Sequence, residues 1–187
     1  MMKQMKLTLL CLLILPGLSL MAQDKFLTKN GEVSFYSEAP LENIEAMNRQ
    51  VVGVIDIQRN EVAVTMLMKA FEFEKALMQE HFNENYVESD KFPKASFKGK
   101  FTASDAIDPN SNTSYEVDIT GDLTIHGVTK NISAKGSMEF NGGQLLAKST
   151  FKVAVKDFEI EIPKVVNQNI AEEIEVKVDL ACNPYNN

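Results

Sequence analysis

Histidine and cysteine are the scarcest groups in this sequence that could do chemistry. The 187 residues hold two of each: His81, His126, Cys11 and Cys182. A zinc site needs three or four such ligands brought together. Neither histidine has a His or Cys at ligand spacing beside it, so no metal site is expected. A reactive thiol needs electropositive surroundings to hold its thiolate. Cys182 has Asp179 and Asn183 for neighbours and no histidine near in sequence, and it reads as an inert thiol. There is no Gly-rich phosphate loop, zinc-hydrolase motif or Ser-centred elbow, and no cofactor is expected. The adjacent Glu172 and Glu173 fall in a charged stretch and read as solvated surface. His126 stands before Gly127 between two alternating segments, where a ring hydrogen bond would fix a tight strand connection. His81 caps or follows a helix. These groups describe a binding or structural protein, not an enzyme.

Charge and the chain start narrow the class. The net charge is −7, which repels phosphate backbones and anionic membrane surfaces, so no nucleic-acid partner is expected. Lys3 and Lys6 precede an apolar run from Leu7 to Leu15, Pro16-Gly17 breaks it, and small Ala22 follows. This is the pattern of a secretory signal peptide over residues 1–22. The run is shorter than the about 20 apolar residues of a membrane-spanning helix. Lipid attachment at Cys11 is the weaker reading, because bulky Leu10 precedes it and little apolar segment lies upstream. A mature chain over 23–187 is then one exported domain, periplasmic or secreted, with no integral membrane segment. Cys182 alone remains in it, so no internal disulfide forms. The oligomeric state is open, a dimer included.

Period two dominates the rest. Tyr115, Val117, Ile119, Leu123 and Ile125 alternate with Glu116, Asp118, Thr120, Asp122 and Thr124, which predicts a strand with one dry face. Gly121 interrupts that face and marks a bend or bulge. Val62, Val64, Met66 and Met68 repeat the pattern, as do Phe97, Gly99 and Phe101. So do Ile132, Ala134, Gly136, Met138 and Phe140, then Phe151, Val153 and Val155, then Ile174, Val176, Val178 and Leu180. Val51–Ile57 is apolar on both faces apart from Asp56, which predicts cover from outside. Arg59-Asn60, His126-Gly127 and Asn141-Gly142-Gly143 are tight turns between antiparallel neighbours. Asp108–Asn112 is a turn-rich loop. About eight strands result, a number that closes into a barrel. Phe71–Asn85 is predicted as an amphipathic helix over an end or flank of the barrel, and Asp157–Asn169 as an irregular excursion around Pro163.

Two blocks carry a family resemblance. Gly121-Asp-Leu-Thr-Ile-His-Gly-Val-Thr-Lys130 resembles the signature hairpin of the YceI-like lipid and polyisoprenoid-binding family. His81-Phe-Asn-Glu-Asn-Tyr-Val-Glu-Ser-Asp-Lys-Phe-Pro-Lys-Ala-Ser-Phe97 resembles a second family block, in the same order and spacing. The resemblance covers most of the mature chain. It implies an all-β fold, an extended antiparallel eight-stranded lipocalin-like barrel with one helix. It further implies an apolar cavity that takes an isoprenoid, quinone or fatty-acid derivative, and it brings no catalytic residues. Glu42–Asn48 and Val155–Gln168 depart from the family pattern, and there the cavity mouth could differ.

A closed barrel turns one face inward. If the apolar face is the inner one, Val64, Met66, Phe97, Phe101, Tyr115, Val117, Ile119, Ile132, Met138, Phe151, Val153 and Val176 form its lining and are the expected ligand-binding residues. A long apolar chain would be held there by burial, roughly 25 cal/mol per Å² before ordering costs. Periodicity leaves the alternative open, because small eight-stranded barrels can be solid and serve as scaffolds or interaction modules. Lys94, Lys98, Lys100, Lys130 and Lys135 flank the two blocks. They either meet a ligand's head group or are the wet faces of strands.

Overall fold

The computed structural model describes residues 24–185. The signal peptide expected over 1–22, with Cys11 in it, lies outside the described residues. Alternation becomes strand along most of the described chain. The order is β1 (Lys25–Glu38), β2 (Asn43–Asp56), β3 (Glu61–Leu67), β4 (Phe71–Phe73), helix α1 (Ala76–His81) continued by a π-helical turn (Phe82–Tyr86), β5 (Lys94–Ala103), β6 (Ser114–Ile125), β7 (Val128–Asn141), β8 (Gln144–Ala154) and β9 (Glu173–Pro184). The long strands follow one another antiparallel, and β9 returns to pair with β1. Eight strands thus close into a barrel, and closure removes the open edges along which other chains could pair. At Gly142-Gly143 both φ angles are positive, 58° and 83°, as a two-residue hairpin requires and glycine permits at little cost.

The helix is shorter than the sequence predicts. Phe71–Phe73 is a strand, and α1 has only 6 residues. After a 3-10 turn at Met68–Ala70, β4 continues β3 and pairs with β2, placing Phe71 opposite Asn48 and Phe73 opposite Ala46. Phe71 and Phe73 fit a helical stripe and a two-residue alternation equally well. The free stretch of β2 decides between them. Nor is the outer face of Val51–Ile57 covered: Val52 and Val54 remain half-exposed there.

The barrel is solid at one end. Phe26, Phe101, Phe140, Leu145 and Cys182 are each at most 1% exposed, and Phe26 meets Phe140 edge-on with ring centroids 5.5 Å apart. Tyr115 joins them against Phe140. Its hydroxyl accepts from the Asp108 backbone N–H at 3.1 Å and lies 2.9 Å from Ser111 Oγ, which ties down the loop after β5. The opposite end carries α1, the β1–β2 loop, the His126-Gly127 turn and the excursion from Val155 to Glu172, and there the interior is open.

Outside, the wet faces carry cross-strand ion pairs such as Lys135–Asp118 and Lys148–Asp179, both 3.1 Å. Charges on a barrel's outer face are costly where that face meets lipid.

Candidate ligand cavity

Above the plug lies a cavity of about 390 Å³, within the size range of small-molecule pockets. Its walls come from the inward faces of the strands. Val64 and Met66 of β3, Phe97 of β5, Val117 and Ile119 of β6, Ile132 and Met138 of β7, Phe151 and Val153 of β8 and Val176 of β9 all line it. Phe101 and Tyr115 do not. They point inward on the same faces but fall in the plug, where interdigitating aromatics leave no space.

A glycine pair shapes the middle of the wall. Gly99 and Gly121 face each other across β5 and β6. A Cβ on Gly99 would come within 2.5 Å of the Thr120 carbonyl oxygen and 2.6 Å of the Phe97 ring. Without side chains there, the two strands approach closely and Phe97 lies against the wall.

An aromatic cluster that the sequence reading does not assign to the lining builds the upper wall. Phe35 of β1, Phe71 and Phe73 of β4 and Phe82 of the π turn meet with ring centroids 5.0–5.8 Å apart. All four line the cavity, with Met68 and Met78 beside them. Methionine adapts to irregular shapes, and aromatic rings add large apolar area.

The mouth is polar. Glu42 accepts from Lys75 Nζ at 2.7 Å and from Asn169 Nδ2 at 3.5 Å. The Lys75 hydrogen bond holds the Glu42 carboxyl below its ordinary pKa, and the same bond raises Lys75. Ser37 Oγ, buried at 1% exposure, accepts from the Ala171 N–H at 2.9 Å. The Leu41 N–H donates to the Gln168 carbonyl at 3.0 Å. These bonds stitch the β1–β2 loop to the excursion before β9. Glu42 and Asn169 fall in or near the two segments that depart from the family pattern. His81 also borders the cavity, on the exposed side of α1.

His126 is tied on both sides. Its Nδ1 donates to the Phe158 carbonyl at 3.1 Å, and its Nε2 lies 2.8 Å from Glu88 Oε2. The Phe92 ring packs edge-on against it at 4.5 Å. The turn between β6 and β7 thereby grips the two segments that crown the mouth. Lys94, Lys98, Lys100, Lys130 and Lys135 are exposed and none lines the cavity. Cys182 sits in the plug at 0% exposure, and burial pushes its thiol up to about 12. It is neutral and sealed, so the arrangement offers it no nucleophilic role.

The family model of the YceI-like domain matches residues 25–182. Among solved structures, the chain is similar to a polyisoprenoid-binding domain from Saccharophagus degradans implicated in plant cell wall breakdown. That likeness has a TM-score of 0.73 at 13% identity, covering 87% of this chain and 99% of the other. BcnA of Burkholderia cenocepacia follows at 0.66 and 16%, covering 81% and 95%. The YceI protein of Campylobacter jejuni gives 0.62 and 16%, covering 80% and 90%. At these identities the structures speak for the fold. No curated protein matches the sequence.

Proposed function

The chain belongs to the YceI-like domain family, and from that premise we propose that it is an exported binding protein that holds a long-chain amphiphile in its barrel. One observation carries the reading: the half of the barrel above the plug is hollow, and its walls are almost wholly apolar side chains. A polyisoprenoid, quinone or fatty-acid tail lies along Phe97, Ile119, Ile132 and Phe151, with its polar end at the mouth beside Glu42 and Asn169. The plug of buried side chains at the closed end and the polar groups at the mouth support this orientation. The naming of a similar structure as a polyisoprenoid-binding domain supports the ligand class. The leader pattern over residues 1–22 supports export, to the periplasm or beyond. Among the described residues no helix is long and apolar enough to cross a membrane.

Organic extraction of protein purified from its host, followed by mass spectrometry, tests the reading. A co-purifying isoprenoid, quinone or fatty-acid derivative at near-stoichiometric amount is the expected result. Protein that carries no such compound, and takes none up when it is supplied, would sink it.

A further inference from the structure

Exposed apolar side chains are not spread evenly over the barrel. Among the described residues five large ones are exposed, and four of them, Leu41, Leu67, Leu77 and Val165, belong to the open half. Three of these stand on three different segments of the mouth. Leu41 is in the β1–β2 loop and 67% exposed, Leu77 is in α1 and 60% exposed, and Val165 is in a 3-10 turn of the excursion (Lys164–Val166) and 91% exposed. In each case the next residue along the chain, Glu42, Met78 or Val166, lines the cavity. Hydrogen bonds hold the three segments together: the Leu41 N–H donates to the Gln168 carbonyl, and Glu42 accepts from both Lys75 and Asn169. The apolar character of the wall thus continues past the rim, at three points around one opening.

A lone exposed leucine needs no explanation, whereas several at one opening mark an interaction site. Area and charge favour a lipid surface over a protein as the partner. Three separate aliphatic side chains offer far less than the roughly 800 Å² per partner of a stable protein interface. They do suffice to enter the boundary between head groups and acyl chains, where burial holds them. The charges beside them are of both signs. On the excursion Lys156 and Lys164, which make no ion pair among the described residues, flank exposed Asp157, Glu159 and Glu161. Mixed signs suit zwitterionic head groups, and the net charge of −7 disfavours anionic ones.

Resting on the carrier reading, we propose that the open end of the barrel docks transiently on a zwitterionic phospholipid bilayer through Leu41, Leu77 and Val165. The amphiphile then passes between bilayer and cavity without its tail crossing water.

Sedimentation of the delipidated full-length mature protein with phosphatidylcholine vesicles provides the test. The wild type should sediment with them, and replacing part of the lipid by phosphatidylglycerol should weaken capture. The combined variant Leu41→Gln, Leu77→Gln, Val165→Ser should lose at least about tenfold in vesicle affinity, and Val165→Ser alone roughly three- to tenfold. None of the three lines the cavity, so uptake of geranylgeraniol, decylubiquinone and oleate in vesicle-free buffer should match the wild type. The proposal falls if the combined variant sediments like the wild type, or if phosphatidylglycerol strengthens capture. It also falls if the wild type stays in the supernatant, which would leave the rim to a protein partner. In each of these cases uptake without vesicles can survive and the carrier reading with it. Failure of all three compounds to enter the wild type would instead remove the carrier reading and this inference together.

Discussion

His126 Nε2 lies 2.8 Å from Glu88 Oε2, although 38 residues separate them in sequence. The bond joins a strand turn to the segment just after the π-helical turn, while the other ring nitrogen holds the Phe158 carbonyl. His126→Ala leaves that carbonyl without its partner, at a cost of about 1–3 kcal/mol. Urea unfolding should register the loss, and hydrogen exchange should rise at residues 82–92 and 155–160 before it rises in the strands.

Glu88 makes the same contact sensitive to acid. Its carboxyl is held below the ordinary value, first by the His126 hydrogen bond and next by Lys91. A depressed carboxylate lends stability above its unfolded pKa and loses it as pH falls through the folded one. Urea midpoints of the wild type should therefore fall more steeply on the acid side of about pH 4.5 than those of Glu88→Gln. Parallel profiles would show that the contact contributes nothing.

Cys182 should behave as a sealed thiol. A thiol reagent such as 5,5′-dithiobis(2-nitrobenzoate) should label it only at the rate of global unfolding. The raised folded pKa also sets a direction at high pH. Stability linked to the neutral thiol is whole below the unfolded value near 9 and drains away towards about 12. A wild-type curve falling faster than that of Cys182→Ala over this window is the expected signature.

Substitutions in the hollow and solid halves should separate binding from stability. Val117→Trp fills the cavity from its wall and should lower lipid uptake at least about tenfold while the barrel stays folded, because the new ring has space to enter. Phe101→Ala empties the plug and should cost about 3–5 kcal/mol with little effect on uptake at temperatures where the protein remains folded. Parallel measurements of melting temperature and dye displacement distinguish the two.

Export has its own readout. N-terminal sequencing of the protein recovered from its host envelope or medium should begin at Gln23. An intact start at Met1 in that fraction would contradict the leader.

Much of the barrel was readable because most wall strands keep a two-residue rhythm. From β5 to β9 the inward positions coincide with the alternation. β1 was harder. Asn30-Gly31 forms a bulge inside a continuous strand. The bulge shifts the inward parity from Phe26 and Thr28 to Val33, Phe35 and Ser37. Phe71 and Phe73 satisfied two periods at once, and their partner on β2 lies outside any local window. Phe101 and Tyr115 sit on the correct face, but alternation reports a side chain's direction and not its depth along the barrel. Glu42 and Asn169 meet from two segments 127 residues apart, and no spacing rule connects them.

The plug of Phe26, Phe101, Phe140 and Leu145 also has a kinetic meaning. A vessel with one doorway cannot admit a newcomer while its occupant is still leaving. Exchange must run through an empty barrel, so the observed replacement rate should equal the unaided departure rate and stay flat as competitor concentration rises. A donor or acceptor partner would then act by changing how often the doorway opens, not by pushing from behind.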